Sequence, residues 1–150
     1  MSLIRRTGSL LVFAILLGCG SDTVLRPPGG LNYSVAVSQC GPADGPAVAI
    51  FLTNDPVQKP NPSPPYVRIY IDLSNSALDG RQRSVAGSNA EAAAWFQLGI
   101  GPSVAADDGF VVATESRDTI DGSVDLVFPQ AGHIVGAFHA PLFPNQALCP

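Results

Sequence analysis

Positive charge is scarce in this chain: eight Lys and Arg stand against twelve Asp and Glu, a formal net charge of −4 at neutral pH. A surface with that balance repels phosphate, which argues against a nucleic-acid partner and against a basic face for anionic headgroups. Catalytic motifs are missing as well. No Gly-x-Ser-x-Gly elbow, no His-Glu-x-x-His pair and no glycine-rich phosphate loop occurs, and these are the linear signatures of several enzyme classes. Sites that assemble only in space leave no such trace, so a small secreted-type hydrolase stays as an alternative to a non-enzymatic module. No cofactor signature is present. The three cysteines, Cys19, Cys40 and Cys149, lack the paired Cys/His spacing that zinc needs. The longest apolar run, Leu10 to Leu17, is too short to cross a bilayer as a finished helix.

That short run has informative neighbours. Arg5 and Arg6 precede it, Gly18 and Cys19 close it, and the small polar residues Gly20, Ser21 and Asp22 follow. Basic, apolar and small-residue segments in this order make a secretory signal. Thr7-Gly8-Ser9 after the arginine pair favour general secretion over a twin-arginine route. Leu16-Leu17-Gly18-Cys19 resembles the lipobox of bacterial lipoproteins. The resemblance implies lipidation of Cys19 and cleavage just before it. Residues 1–18 would then be a signal peptide, 19–30 a Gly- and Pro-rich flexible tether, and 31–150 a single β domain.

With Arg5 and Arg6 removed, six basic residues face twelve acidic ones, a formal net charge of −6. Attachment to the membrane would come from acyl chains rather than from charge. The place is the cell envelope. Gly20 stands where the lipoprotein family carries its aspartate retention signal, which favours the outer membrane in a cell that has one. If Cys19 carries lipid, Cys40 and Cys149 form an even pair in an oxidising compartment, and a disulfide is expected. Closing a loop of about 110 residues would contribute roughly 4–5 kcal/mol in the chain-entropy model.

Alternation organises the rest. Leu31, Tyr33, Val35 and Val37 alternate with polar and small residues, as in a half-buried strand. Ala47 to Thr53 is a short apolar run that fits a more buried strand. Residues 54–65 carry five prolines, so this stretch is expected to be an exposed, stiff connector. In Tyr66 to Leu73, Val67, Ile69, Ile71 and Leu73 point one way and Tyr66, Arg68, Tyr70 and Asp72 the other. Tyr66, Arg68 and Tyr70 therefore form the candidate binding patch. Between Ser74 and Gly101 two signals conflict. Ser88-Asn89-Ala90-Glu91 has the form of a helix capping box, whereas Ala94, Phe96 and Leu98 alternate with Trp95 and Gln97. In an all-β setting a strand over Ala93 to Leu98 is the expectation.

The last third reads as strands and turns. Asp107-Asp108-Gly109 is expected to turn into Phe110 to Thr114, and Asp121-Gly122 to lead into Ser123 to Phe128, followed by a bend at 129–132 and a return strand. This hairpin resembles β-rich domains of uncharacterised bacterial lipoproteins, a likeness that implies no activity. His133 and His139 lie on one face of the return strand, about 20 Å apart at 3.3 Å per residue, too far to share a metal. Asp118, Asp121 and Asp125 could offer oxygens to calcium, yet the regular EF-hand spacing is absent. The expected fold is all-β, an antiparallel β-sandwich or small barrel of about seven or eight strands. The expected function is that of a lipid-anchored, non-enzymatic module for an envelope protein, a glycan or a small ligand. A purely structural envelope component is the further alternative.

Overall fold

The computed structural model describes residues 31–41, 45–129 and 131–144. The signal segment, the tether, Cys19 and Cys149 lie outside the described residues. The described chain is all-β, with nine strands: β1 (Tyr33–Cys40), β2 (Pro46–Thr53), β3 (Tyr66–Asp72), β4 (Asp79–Ser84), β5 (Ala92–Gln97), β6 (Val104–Ala105), β7 (Asp108–Ser116), β8 (Thr119–Phe128) and β9 (Gly132–Phe143). They form one sheet in the order β4-β7-β8-β9-β1-β2-β3-β5-β6. Every pairing is antiparallel except β1 with β9, where Ala36 meets Leu142 and Val37 meets Phe143 in parallel. The sheet is thus mixed, with more strands than the seven or eight expected. The additional ones carry little periodic signal. β4 reads Asp-Gly-Arg-Gln-Arg-Ser, and β6 is two residues long.

The sheet curls into a half-barrel because β4 and β5 are adjacent in sequence but lie near opposite ends of the strand order. The Glu91 amide donates to the Ser84 carbonyl at 3.0 Å, which draws those ends together. The concave face holds one core fed from both halves: Ile50, Val67 and Ile69 from one, Val111, Val124 and Leu126 from the other. The Phe96 and Phe128 rings meet across it at 6.1 Å. Each such buried aliphatic or aromatic side chain contributes about 1.5–3 kcal/mol.

A second, smaller cluster lies on the convex side, where Val35, Ala49 and Phe51 pack with Val37, Tyr66 and Phe143. β1 and β2 are therefore covered on both faces over much of their length. This explains the continuous apolar run of β2, and it corrects the half-buried reading of β1, in which Ser34, Val35 and Ala36 are all buried. β5 settles the conflict at residues 88–98 in favour of a strand, with Ala92, Ala94 and Phe96 facing the core. The Pro-rich stretch is a connector, pinned by burial of Pro62 and by the Gln58 side-chain amide donating to the Ser34 carbonyl at 3.3 Å.

Two turn assignments move. β7 and β8 are joined through Arg117 and Asp118, with Arg117 in the left-handed region at φ 45°. Asp121 and Gly122 lie inside β8, and Gly109 lies inside β7. These glycines serve close approach instead of a turn. A Cβ at Gly122 would fall onto the Val112 carbonyl and the Phe138 ring. The Gly there lets β7 and the ring of β9 close over β8.

The β4 edge contains a fully buried arginine. Arg83 donates through Nη1 to the Arg81 carbonyl at 3.2 Å, and through Nη2 to the Ala77 carbonyl and, at 3.1 Å, to Asp79 Oδ1. Its Nε stays buried without a partner, so the cost of desolvating this guanidinium is offset through its two terminal nitrogens alone.

Candidate functional site

The convex face of β2, β3 and β5 carries the most distinctive chemistry in the described chain. Antiparallel register places Phe51 of β2 opposite Arg68 of β3, and Arg68 opposite Trp95 of β5. One guanidinium therefore stands between two rings, its carbon 6.0 Å from each ring centroid. A cation held by ring quadrupoles is stabilised without being neutralised. Tyr66 meets Phe51 edge-on at 5.3 Å.

The hydrogen bonding of Arg68 is incomplete. Its Nη2 donates to Gln39 Oε1 at 3.4 Å, and its Nε is shut away from water with no partner. Lys59, Arg81 and Arg83 each reach an Asp or Glu, whereas no carboxylate of a described residue comes within ion-pair distance of Arg68. Arg117, in the exposed turn between β7 and β8, also has no ion pair among the described residues, but Arg68 is half-buried.

Beside Arg68 a cleft of about 160 Å³ opens, lined by Tyr66, Arg68, Trp95, Gln97 and Ser103. Gln97, in register with Tyr66, lines it too, and its amide nitrogen donates to the Gly99 carbonyl and, at 2.9 Å, to the Gly101 carbonyl. Both amide hydrogens are used in this way, so Gln97 Oε1 is left as an acceptor. The 98–103 loop that Gln97 holds carries Leu98 and Ile100 exposed to solvent.

The three residues of the sequence patch share a face but divide in space. Tyr66 and Arg68 line the cleft. Tyr70 lies further along β3, its hydroxyl buried without a partner and so close to Gly41 that a Cβ there would come within 2.7 Å of it. Burial, followed by the Asp72 carboxylate, pushes the Tyr70 phenol above its ordinary pKa. Trp95, Gln97 and Ser103 were not among the expected site residues. The alternation of Trp95 and Gln97 with Ala94 and Phe96 was visible, but the pairing of β5 with β3 that brings them to Arg68 was not.

The convex face of β8 and β9 is different. His133 Nε2 lies 2.6 Å from Asp125 Oδ1, and His139 Nδ1 lies 2.5 Å from Asp121 Oδ1. The two histidines stand apart on an open surface, His139 being 70% exposed. Ser123 sits between the two aspartates on β8 with no bond to either histidine, so these residues form no Ser-His-Asp relay. Among the described residues no three His, Cys, Asp or Glu side chains gather closely enough to hold a metal ion. Cys40, at the end of β1, is disulfide-bonded, and both other cysteines of the chain lie outside the described residues.

Compared with known proteins, the chain matches no family model, no curated protein and no solved structure. The functional reading therefore rests on the chemistry of the cleft and on the N-terminal sequence.

Proposed function

We propose that this protein is a lipid-anchored cell-envelope module, non-enzymatic, that binds its ligand in the cleft beside Arg68. The observation that carries the binding role is the Arg68 guanidinium, set between Phe51 and Trp95 and given no counter-charge by any described residue. Binding sites commonly combine apolar walls with a few convergent polar groups, and this cleft has that composition. The anchoring role is supported by Arg5, Arg6, the Leu10–Leu17 run and Gly18-Cys19. The outer membrane is the favoured location where one exists. Cys149 is the proposed partner of Cys40. β9 leaves the sheet at Phe143 running parallel to β1, toward the end that carries Cys40. The finer fold proposed is a small open barrel, supported by the core shared between the two halves.

Two experiments test this. Cys19→Ser is expected to move the protein from the membrane fraction to the soluble one; membrane fractionation unchanged from wild type would refute anchoring through that sulfur. For binding, envelope glycans, peptides and small molecules are screened against the full chain in detergent, with Trp95, its single tryptophan, as the fluorescent reporter. Ligands that shift wild type but not Arg68→Ala are expected. Ligands that bind both equally would move the site away from the cleft.

A further inference from the structure

The cleft's donors, acceptors and size narrow its ligand, given the binding role just proposed. We infer that it receives a sugar acid: one hydroxylated ring that carries a carboxylate. Three features of the cleft each impose one requirement.

The first is charge. Arg68 is half-buried and lines the cleft, no described carboxylate reaches it, and of its terminal nitrogens only Nη2 has a partner, the Gln39 side chain. A guanidinium can only donate, and a partly desolvated cation without a counter-ion is costly to keep. The missing group is an anion, and a carboxylate matches the guanidinium fork. The chain's net negative charge disfavours a more highly charged group such as a phosphate chain.

The second is hydrogen bonding at Gln97, which stands in register with Tyr66 on the neighbouring strand. Gln97 lines the cleft with both amide hydrogens donated to its own loop, which leaves Oε1 as its acceptor. That acceptor calls for a donor on the ligand. An aromatic carboxylate meets Arg68 but brings no donor to Gln97, whereas a ring hydroxyl does. Ser103 can give or accept beside it.

The third is shape. Trp95 and Tyr66 bring flat apolar surface to a space of about 160 Å³. That is close to the size of an engineered cavity of ~150 Å³ that takes a single benzene ring, and well below the ~300–1,000 Å³ of a drug-sized pocket. One ring fits, either as a free monosaccharide or as the terminal unit of a glycan.

Titration of the full chain in detergent, followed by Trp95 emission, tests this with named probes. Glucuronate is expected to shift the emission saturably, with a dissociation constant on the order of 1 mM, the scale set by a ligand of one ring. Glucose and benzoate, each lacking one of the required groups, are expected to bind at least about tenfold more weakly. Arg68→Gln should abolish the preference for glucuronate over glucose. Gln97→Met should abolish the preference for glucuronate over benzoate, which keeps the test sharp should one variant fold poorly. An oligosaccharide ending in glucuronate distinguishes the two sources: tighter binding than the monosaccharide assigns the site to a glycan terminus, and equal binding to the free sugar.

The absence of saturable binding by glucuronate and galacturonate would overturn the inference. Equal binding of glucose and glucuronate would overturn the acid class while leaving the cleft as the binding site. Binding of glucuronate undiminished in both Arg68→Gln and Gln97→Met would overturn the cleft assignment itself.

Discussion

The two halves of the curled sheet present opposite chemistry on their convex faces. On β8 and β9 each histidine lies against an aspartate: His133 by Asp125, His139 by Asp121. On β3 the one cation, Arg68, stands among rings and a glutamine, with no carboxylate of a described residue to meet it. Both faces are polar, yet only one is left unsatisfied. A paired surface group has little to gain from a ligand, because binding must first break a bond that already exists. A half-buried, unpaired guanidinium has its desolvation cost already incurred, so an arriving anion finds the interaction unclaimed. Histidine beside aspartate, so suggestive of catalysis on paper, here forms two separate pairs on an open surface. Those pairs are exposed, and exposed pairs contribute only about 0–1 kcal/mol.

The sharpest way to break the comparison is to damage one half and watch the other. Gly122→Ala places a Cβ against the Val112 carbonyl and the Phe138 ring. Overpacking of this kind costs about 1–3 kcal/mol, a fall in melting temperature of roughly 3–15 °C. Circular dichroism and Trp95 fluorescence should report one shared transition, since the core is common to both halves. Two separated transitions would show that the halves fold as independent units.

Acid should act on both halves together. Hydrogen bonds from Ser74 hold the Asp72 carboxyl below its ordinary pKa, and the Arg81 amide does the same for Asp79. Asp72 belongs to the cleft half and Asp79 to the far edge. A carboxylate with a lowered folded pKa stabilises fully above the unfolded value of 3.8 and loses that contribution as pH falls through the folded value. The melting temperature is expected to fall below about pH 4, with a shallower fall in Asp72→Asn and in Asp79→Asn. Melts across the acid range check this, and an unchanged slope in both variants would contradict it.

Two smaller effects sharpen the contrast. Tyr70→Phe removes a buried hydroxyl that has no partner, so stability should change by no more than about 1 kcal/mol, toward the more stable side. Binding in the cleft should be unaffected, which would separate Tyr70 from Tyr66 and Arg68. His139→Ala should cost least, under about 1 kcal/mol, with a dependence on salt in chemical denaturation that Tyr70→Phe lacks.

Much of this could be read from residue order, and the gaps have physical causes. The apolar run of β2 and the alternation of β3 specify buried strands, because burial on a pleated sheet leaves a direct imprint. β4 and β6 leave none: one is a charged edge and the other two residues long. Asp121-Gly122 has the composition of a turn, but the turn fell to Arg117-Asp118 because Gly122 was needed where β7 and Phe138 close over β8. The site was half visible for a related reason. Alternation puts Tyr66 and Arg68 on one face, while Trp95 and Gln97 join them only through the pairing of β3 with β5, which local patterns do not encode.

The ends of the strand order carry one more consequence. Copies of an anchored protein would be concentrated in two dimensions, where strand-to-strand growth between neighbours is a standing hazard. At one end β6 offers a neighbour only Val104 and Ala105 to extend. At the other, β4 shifts register between Asp79 and Gln82 and presents the Arg81 charge. A molecule built this way leaves its neighbours little edge to extend, however closely they are packed.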